Sequence, residues 1–555
     1  MRTLISDVTM AIRNAKVWTA FLLVTAVAAA PGAQIIVPTR ANATPAVTPG
    51  TQGPSTSAST PQAPQIAPYV VGQAKPPETP GSPVVDLSLE KAIQIAFENN
   101  LDLQSARINP IVQDISIRSS RANFLPTFSG SFAHDNSSRP VTNTILDGGL
   151  STITSTGQSY QFGMNQNSPW YGGRLTTSFS SGRSASNDPG APNNPAFTGG
   201  WSANYSQPLF ANFKIDNTRN SMRVALVNRQ VADITLQNSI ENLRAQVRQA
   251  YWTLRQRIES IEIQRRSLEL AKRQLDESKQ KIEIGAVAPI DATNFETAVA
   301  DAEANLLGAE INWRTQELTF KRLLVNGASD PVYASTINPT EQPLAQLQAV
   351  DIQGAIQNAL AQRTDLEQSR KNLQVSEMNL ELRRNALLPA MTLSGGYRMS
   401  GSGGPRTSGG VLTPGGYGQV FGSMVDRPSW NINLSYSYNF GLVAARASLA
   451  QQELQYEQSK ITLKGQELTV TQSVTQAGLN VNNAFRQLEA RKKALIAQEK
   501  NADAAQTRFT VGLANPFEVA NALQSLTNAR LAELNAIITY LNAVAEFEKQ
   551  QRVGG

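Results

Sequence analysis

The chain has 555 residues, of which 41% are hydrophobic and 17% are charged, and its formal net charge is +6. It contains one His and no Cys, which excludes disulfides, Cys/His nucleophilic sites and ordinary zinc clusters, so we expect no enzyme activity, metal site or cofactor. The charge is mild for this length, and Lys and Arg are interleaved with Asp and Glu, so we expect no nucleic-acid partner.

An export signal is predicted at the amino terminus, over approximately residues 1–33. Arg13 and Lys16 precede an apolar stretch over 17–30 that small residues follow. A basic flank and a short apolar core are typical of a secretory signal, whereas a membrane-spanning helix needs about 20 apolar residues. Cleavage after Ala33 and cleavage after Ala43 both fit this pattern.

A disordered arm rich in Pro, Thr and Ala is predicted next, over residues 34–83. Twelve of the 29 prolines fall in residues 31–83, and the tract shows no hydrophobic periodicity. Such a composition buries too little apolar surface to offset the conformational entropy lost on folding. A plain spacer is the simplest role for this arm.

Two tandem repeats follow, over residues 84–325 and 351–552, with a linker over 326–350. The sequence SLEKAIQIAFENNLDLQSAR, which starts at Ser88, recurs as DIQGAIQNALAQRTDLEQSR from Asp351, a shift of 263 residues. Two copies of this size predict a pseudo-symmetric body rather than a catalytic domain with attachments.

A second match between the repeats has a different register. The sequence KIEIGAVAPIDA (281–292) recurs as RFTVGLANPFEV (508–519), a shift of 227 residues. The two shifts differ by 36 residues, so the first repeat carries an insertion of that size in its central segment. The Gly and Pro of both motifs suit the end of one helix and the first turn of the next.

Each repeat contains one very long helix with coiled-coil periodicity. No proline interrupts the chain between Phe213 and Ile284, and apolar residues recur there every seven positions. The recurring residues are Ile240, Val247, Leu254, Ile261, Leu268, Leu275 and Ile282, and in the second repeat Val474, Val481, Leu488, Leu495, Ala502 and Phe509. Shorter helices, each about half as long, are predicted over 88–123, 290–325, 351–386 and 517–551. Two short helices laid end to end therefore match one long helix.

The segments between the helices are predicted to be strands. Residues 430–440, WNINLSYSYNF, alternate between apolar and small polar side chains. This length and pattern are typical of a tilted transmembrane strand with one face toward lipid and the other toward water. The residues predicted to face lipid are Trp430, Ile432, Leu434, Tyr436 and Tyr438. A soluble antiparallel sheet with one buried face is the alternative.

The repeats, their leading helices and the tip motifs IGAVAPID and VGLANPFE resemble the TolC-type outer membrane efflux proteins, over about residues 86–552. The resemblance implies a mainly α fold with a membrane β-barrel, in which two tandem repeats of long coiled-coil helices and short strands assemble as a trimeric α-barrel/β-barrel tube. It implies a 12-stranded barrel in the outer membrane, a 12-helix tunnel in the periplasm and an equatorial region that includes the linker. It further implies passive export with a periplasmic adaptor protein and an inner-membrane pump as partners.

The resemblance also implies roles for the residues at the hairpin tips. Adaptor contacts map onto Ile284, Gly285, Ala286, Val511, Gly512 and Leu513. The pore constriction maps onto Glu518, Asn521 and Asp291. The family ties the closed tip with a Tyr and an Arg, and this chain has Phe509 and Ala514 instead. We therefore predict that packing around Phe509 holds the tip and that Lys281 and Arg508 are the candidates to replace the missing link.

A different class of protein remains open on the sequence alone. A periplasmic coiled-coil structural or adaptor protein without a pore, or a trimeric stalk, also contains long heptad helices. An adaptor has one hairpin between two halves of a β-domain, and a stalk has many short repeats. Two hairpins, each preceded by a strand-rich segment, favour the channel.

Overall fold

A computed structural model of the protein describes residues 71–77, 81–141, 150–284, 289–343, 346, 350–408 and 411–552. The predicted export signal and most of the predicted arm lie outside these residues. The described part is an elongated helical layer that continues into one β-sheet, and both repeats contribute to each.

The first repeat contains two short helices, four sheet strands, one long helix and one helix of half that length. In chain order the elements are β1 (Val84–Leu87), α1 (Leu89–Asn99), α2 (Leu101–Ala122), β2 (Thr127–Pro140), β3 (Thr152–Asn167), β4 (Arg174–Ser186), β5 (Ala196–Pro208), α3 (Asn217–Glu283) and α4 (Pro289–Leu324).

The linker and the second repeat follow the same order with two sheet strands instead of four. Their elements are α5 (Pro331–Ala334), β6 (Thr336–Pro339), α6 (Ile352–Gln362), α7 (Thr364–Asn385), β7 (Ala390–Gly403), β8 (Arg406–Ser408), β9 (Val411–Thr413), α8 (Tyr417–Asp426), β10 (Pro428–Ser437), α9 (Val443–Thr510) and α10 (Pro516–Gln550).

The two long helices bury most of the heptad positions that the sequence identifies, and they leave half-buried Ile240, Leu268, Leu275, Ile282 and Leu495. Helix α3 has 67 residues and α9 has 68, which at 1.5 Å per residue makes each about 100 Å long. Val247, Leu254 and Ile261 are buried in one core cluster with Trp313 and Phe320 of α4. In the second repeat, Val474, Val481 and Leu488 are likewise buried. The coiled-coil interpretation of both helices is confirmed.

The leading helix of each repeat is broken, which corrects the prediction of single helices over 88–123 and 351–386. Asn100 has extended backbone angles between α1 and α2, and its side chain accepts a hydrogen bond from the Leu103 N–H at 3.0 Å. Arg363 has the same role between α6 and α7, where its Nη1 donates to the Gln550 carbonyl oxygen at 3.0 Å. A side-chain cap at Asn100 and long-range hydrogen bonds at both residues outweigh the continuation of the helix.

The helices form one layer of four at every level. Near the sheet the order is α2–α3–α7–α9, and toward the hairpin tips it is α4–α3–α10–α9. Helices α2 and α4 therefore occupy one edge of the layer, and α9 occupies the other along its whole length. Within the described part of the chain, no helix has the length and hydropathy needed to cross a membrane.

One half-buried acid in this layer makes stability depend on pH. Glu533 lies on α10, and burial raises its pKa above the ordinary 4.5, with repulsion from Glu499 adding to the shift and attraction to Lys492 opposing it. A raised carboxyl pKa means that the folded state loses stability as pH rises above about 4.5 through the folded pKa. We expect Glu533→Gln to raise the thermal unfolding midpoint at pH 7 and to leave it unchanged at pH 4.

The matched control for this prediction is Glu489→Gln, which changes an exposed carboxylate on the neighbouring helix α9. This control should leave the unfolding midpoint of the detergent-solubilised protein unchanged at both pH values. A lower midpoint for Glu533→Gln at pH 7 would mean that the ionised carboxylate stabilises the fold and would contradict the argument from burial.

Six strands form one antiparallel sheet in the order β10-β7-β5-β4-β3-β2. This corrects the 12-stranded barrel that the resemblance implies, because three chains would build twelve strands only if each supplied four. The additional hairpin, β3 and β4, spans Thr152–Ser186 and accounts for the insertion of 36 residues in the first repeat. It is inserted between β2 and β5 without changing the order of the other strands.

The register of the sheet places most large apolar side chains of the six strands on one face, which also includes Thr177, Ser181 and Arg183 of β4. Trp430 pairs with Tyr397, which is also opposite Ala203, and Leu434 pairs with Leu393. Because side chains alternate along a strand, the pairings extend the same two faces across the sheet. The apolar face includes Phe128, Phe132, Tyr160, Phe162, Met164, Leu175, Phe179, Trp201, Tyr205, Met391, Leu393, Tyr397, Trp430, Ile432, Leu434 and Tyr436. The polar face includes Ser129, Ser131, Ser155, Asn165, Ser178, Ser202, Asn204, Ser394, Asn431 and Asn433.

The strand predicted over 430–440 is shorter than expected. Strand β10 ends at Ser437, whose partner Ala390 is the first residue of β7. Tyr438 lies beyond the strand, so its placement on the strand face is wrong. The chain turns there into α9 through Leu442, which has a left-handed backbone with φ of 47°.

Part of the predicted arm is ordered and packs at mid-length of the helices, where β1 and β6 form a parallel pair. Glu259 Oε1 accepts hydrogen bonds from the backbone N–H groups of Gly72 (3.0 Å) and Ala74 (3.2 Å). Arg255 forms a buried ion pair with Glu259 at 2.7 Å and donates to the Ala74 carbonyl oxygen at 3.1 Å. Residues 71–77 are therefore a docked strap, because a buried ion pair satisfies backbone groups of Gly72 and Ala74.

Candidate functional site

The tip of the second hairpin is a tight turn between α9 and α10. The Leu513 N–H donates to the Arg508 carbonyl oxygen at 2.8 Å, and the Gly512 N–H donates to the Phe509 carbonyl oxygen at 3.2 Å. Gly512 has φ of +78°, which is the left-handed conformation that this helix ending requires. The Asn515 side chain then accepts a hydrogen bond from the Glu518 N–H at 2.8 Å and caps α10.

The turn exposes apolar side chains at the far end of the molecule from the sheet. Leu513 is 77% exposed, and Val511 and Phe517 are exposed beside it. At the first tip, Ile284 and Ile290 are also exposed. Apolar groups that are left in water at a defined end of a protein are typical of a surface that binds another protein. Gly285 and Ala286 lie outside the described residues.

Two of these tip residues were missed by the sequence interpretation. The shift of 227 places Ile290 on Phe517, just as it places Ile284 on Val511. The tandem register therefore contains the signal that could have identified Ile290 and Phe517, since both repeats have a large apolar residue directly after the tip proline.

Phe509 is the centre of a small core that joins the two hairpins. It is 2% exposed and packs with Phe295 and Val519, and its ring lies edge-on to that of Phe295 at 6.2 Å. Lys281 Nζ lies 3.6 Å from the centroid of the Phe509 ring and 3.0 Å from the Phe509 carbonyl oxygen, to which it donates a hydrogen bond. A cation over an aromatic face contributes about 0.5–2 kcal/mol. Lys281 and Phe509 thus connect α3 of the first hairpin with α9 of the second.

The residues assigned to the constriction lie in the first turns of the two returning helices. Glu518 is exposed and forms an ion pair with Arg508 of the same hairpin. Asn521 is exposed one turn further along α10. Asp291 lies in the first turn of α4, and its side chain is outside the part of the chain that the structure describes. The Glu518 carboxylate therefore has a cationic neighbour at the tip, which weakens the field it projects into solvent.

A second candidate surface is the apolar face of the sheet at the opposite end. Trp430, Ile432, Leu434 and Tyr436 point outward from β10 and are 55–74% exposed. Aromatic side chains also cluster where the sheet meets the helices, at Trp170, Tyr171, Phe210 and Phe440. An apolar face with a cluster of aromatic residues at one end is typical of a strand surface in contact with lipid.

A layer of long helices that continues into a sheet with one apolar and one polar face is typical of a channel of the outer membrane. A family model described as "outer membrane efflux protein" matches residues 170–326 and 355–549, and the chain belongs to this family. It is therefore an outer membrane channel for export that extends into the periplasm. Members of the family are channels rather than enzymes. The interpretation as a coiled-coil protein without a pore is set aside.

Solved structures share the fold at low sequence identity. The CmeC outer membrane channel of Campylobacter jejuni is 16% identical with a TM-score of 0.60, over 83% of this chain and 85% of that one. The MtrE outer membrane channel of Neisseria gonorrhoeae, in its open state, is 17% identical with a TM-score of 0.58, over 88% and 98%. The outer membrane protein VceC of Vibrio cholerae is 14% identical with a TM-score of 0.59, over 84% and 96%. A comparison with curated proteins finds no match.

Metal-ligating side chains are not clustered in the part of the chain that the structure describes. No group of three or more His, Asp or Glu side chains there could hold a metal ion. The single His134 lies exposed on β2. The described chain has two exposed apolar surfaces, one at the hairpin tips and one on the sheet.

Proposed function

We propose that three copies of this chain close into one tube that exports cargo passively across the outer membrane. An inner-membrane pump supplies the cargo, and a periplasmic adaptor protein joins the pump to the hairpin tips. The observation that carries this proposal is that the sheet and the helical layer both have two open edges, and that these edges lie on the same two sides of the molecule.

The edges of the sheet are β2 and β10. Each of these strands pairs on one side only within the described residues, with β3 and β7 respectively. An open strand edge is not tolerated in a membrane, because its backbone groups have no water to bond with. Pairing of β2 of one copy with β10 of the next removes both edges.

The edges of the helical layer carry exposed apolar stripes with heptad spacing. Leu101, Ile108 and Ile115 are exposed along α2, which leads directly into β2. On the opposite edge, α9 follows β10 and exposes a matching stripe at Leu454, Ile461 and Leu468. Helix α4 extends the first edge with Ile311 and Leu318. Two different, complementary edges form a head-to-tail contact, which closes into a ring.

Three copies of the described layer give twelve helices at each level, the number that the family resemblance implies. Three copies of the described sheet give eighteen strands rather than twelve. Barrels of 16–18 strands leave an aqueous channel. The membrane end of this tube is accordingly wide, and the narrow point that controls passage is at the hairpin tips.

The head-to-tail contact is tested by introducing a charged residue into the exposed apolar stripe of α9. Ile461→Asp places a carboxylate in the apolar edge of α9 and is expected to reduce the yield of heat-resistant trimers at least tenfold, since a buried unpaired charge costs several kcal/mol. Thr462→Asp is the matched control, because Thr462 is exposed and lies about 100° around the same helix. Equal trimer yields for the two variants would contradict the proposed contact.

The proposed constriction is tested by neutralising, one at a time, the two members of the ion pair between Glu518 and Arg508. Within this proposal, Glu518 lines the narrow point together with Asn521 and Asp291, and a ring of carboxylates favours cations and attracts multivalent metals. We expect Glu518→Gln to weaken cation preference and metal block in single-channel recordings. Arg508→Gln should strengthen both, because it leaves the Glu518 carboxylate without its ion-pair partner.

The two substitutions act as controls for each other, since each removes one member of the same exposed ion pair. A structural role of the pair alone would change conductance in the same direction in both variants. Unchanged ion selectivity in Glu518→Gln would show that this side chain lies outside the lumen and would remove it from the constriction.

A further inference from the structure

Helix α8, in the connection between β9 and β10, lies on the apolar face of the sheet. It packs on β5 and β7, and its Val420 and Met424 are buried against these strands. The residues beneath it share a face with Trp201 and Tyr397, because they have the same alternation along β5 and β7. The helix is therefore on the side of the sheet that the proposed channel turns toward lipid, and not on the side of the pore.

Three glycines make room for this helix. Gly199 of β5 and Gly401 and Gly403 of β7 all face α8. A Cβ atom on Gly199 would lie 2.8 Å from Val420 Cγ1, and one on Gly403 would lie 2.9 Å from the Gly416 carbonyl oxygen. Such distances are shorter than van der Waals contact, so the three glycines form a shallow saddle into which α8 fits closely. The glycines of β5 and β7 therefore provide the space that α8 needs on this face of the sheet.

Aromatic contacts set the direction in which the helix leans. Phe421 stacks with Phe179 of β4 at 6.4 Å, and Tyr417 contacts Phe197 of β5 at 4.6 Å. Strand β4 lies toward the middle of the sheet, away from the open edge at β10. Helix α8 is consequently turned away from the edge at which a second copy of the chain would bind.

The height of α8 matches the boundary of a membrane. The first residue of β10, Pro428, pairs with Met399, and the glycines under α8 lie just beyond that level, away from the long helices. The ten residues of β10 match the 9–11 residues with which a tilted strand crosses a bilayer. The helix therefore lies at the outer end of the membrane-facing band.

The outward surface of α8 is apolar although nothing in the described chain covers it. Val425 is 71% exposed and Phe421 is half exposed, while the charged Asp426 and Arg427 follow at the carboxyl end. A short helix that holds apolar side chains outward at the level of the headgroups is typical of an interfacial membrane helix. We propose that α8 binds the headgroup–acyl boundary of the outer leaflet and fixes the height of the barrel in the membrane. This inference rests on the proposed orientation of the sheet.

The absence of Cys from the sequence makes a direct test possible, because one introduced Cys is the only labelling site. Three single variants are labelled with a polarity-sensitive fluorophore: Val425→Cys on α8, Ile432→Cys on β10 and Ser402→Cys. Ser402 lies at the height of α8 but on the opposite, polar face. The trimers are placed in phosphatidylethanolamine and phosphatidylglycerol vesicles that contain lipid with a nitroxide at the headgroup or deep in the acyl chain.

We expect the label at Val425 to be quenched several-fold more by the headgroup nitroxide than by the deep nitroxide, and to be shielded from aqueous iodide. The label at Ser402 should respond to iodide alone. Equal iodide quenching at Val425 and Ser402 would overturn the inference, and so would a Val425 label that is shielded from iodide and from both lipid probes, since a protein would then cover the helix.

The label at Ile432 separates failure of this inference from failure of the proposed function. Quenching at Ile432 by the deep nitroxide, with no lipid quenching at Val425, removes the role of α8 and leaves the lipid-facing sheet intact. No quenching at Ile432 by the deep nitroxide removes the orientation of the sheet itself. Val425 and Ile432 are both exposed, so the labels do not replace packed side chains.

Discussion

Leu434→Arg is expected to destabilise the assembled barrel by about 2–4 kcal/mol, whereas Asn433→Arg on the same strand is expected to be tolerated. Leu434 pairs with Leu393 on the apolar face, and Asn433 pairs with Ser394 on the polar face. If the apolar face meets lipid, the first substitution places a guanidinium in hydrocarbon. The second places it in the aqueous lumen, where it remains hydrated.

Both variants introduce the same side chain at adjacent residues of β10, so intrinsic strand propensity is matched. The measurement is the denaturant dependence of unfolding from lipid bilayers, together with the yield of folded trimer. Equal destabilisation by the two substitutions would contradict the orientation of the sheet. Greater damage from Asn433→Arg would mean that the polar face is the packed one.

Leu513→Glu at the second hairpin tip is expected to reduce export at least tenfold while the trimers remain folded. Leu513 is largely exposed, so the substitution costs little in the free protein. In a docked complex the same side chain is covered, and a carboxylate there has to be desolvated without a partner. The measurement is cargo export by cells that carry the variant, with the amount of trimer in the outer membrane determined in parallel.

Leu513→Met is the control for this prediction, because it keeps an apolar side chain of similar size and should retain export. Gly512→Trp tests the same surface with bulk and is also expected to abolish export. Gly512 has a left-handed backbone, so this variant carries a strain cost that Leu513→Glu does not. Normal export by Leu513→Glu, with trimer at the usual level, would exclude the tip from adaptor contact.

The helical half of the molecule could be predicted well from the sequence, because its signals are local. Val247, Leu254 and Ile261 recur at heptad spacing, and this periodicity alone specifies a long helix and its buried side. The two Gly-x-x-x-Pro motifs likewise mark helix ends, and at the second motif the left-handed turn at Gly512 confirms this. The prediction of unbroken leading helices failed because long-range hydrogen bonds outweigh the local helical pattern there. Asn100 and Arg363 break their helices with the help of hydrogen bonds to Leu323 and Gln550.

At the second hairpin tip, too, the sequence identifies the residues and the structure decides which of them are in contact. That Phe509 is buried followed from its heptad position, and the structure places Lys281, one of the two candidate links named from the sequence, over its ring. The ion pair between Arg508 and Glu518 joins residues ten positions apart across a turn. The sequence could name both partners but could not pair them, because the geometry of the turn decides which side chains meet.

The sequence by itself determined the tandem repeats, the length of the helices, the hairpin tips and the two-faced character of β10. Each of these depends on spacing within a single segment, where backbone geometry converts periodicity directly into structure. Only the tertiary structure decided that the insertion becomes the hairpin β3–β4, that the sheet has six strands, that residues 71–77 dock on Glu259 and that α8 lies over three glycines. These features come from pairings between segments far apart in the chain, and their stability depends on partners that no local pattern identifies.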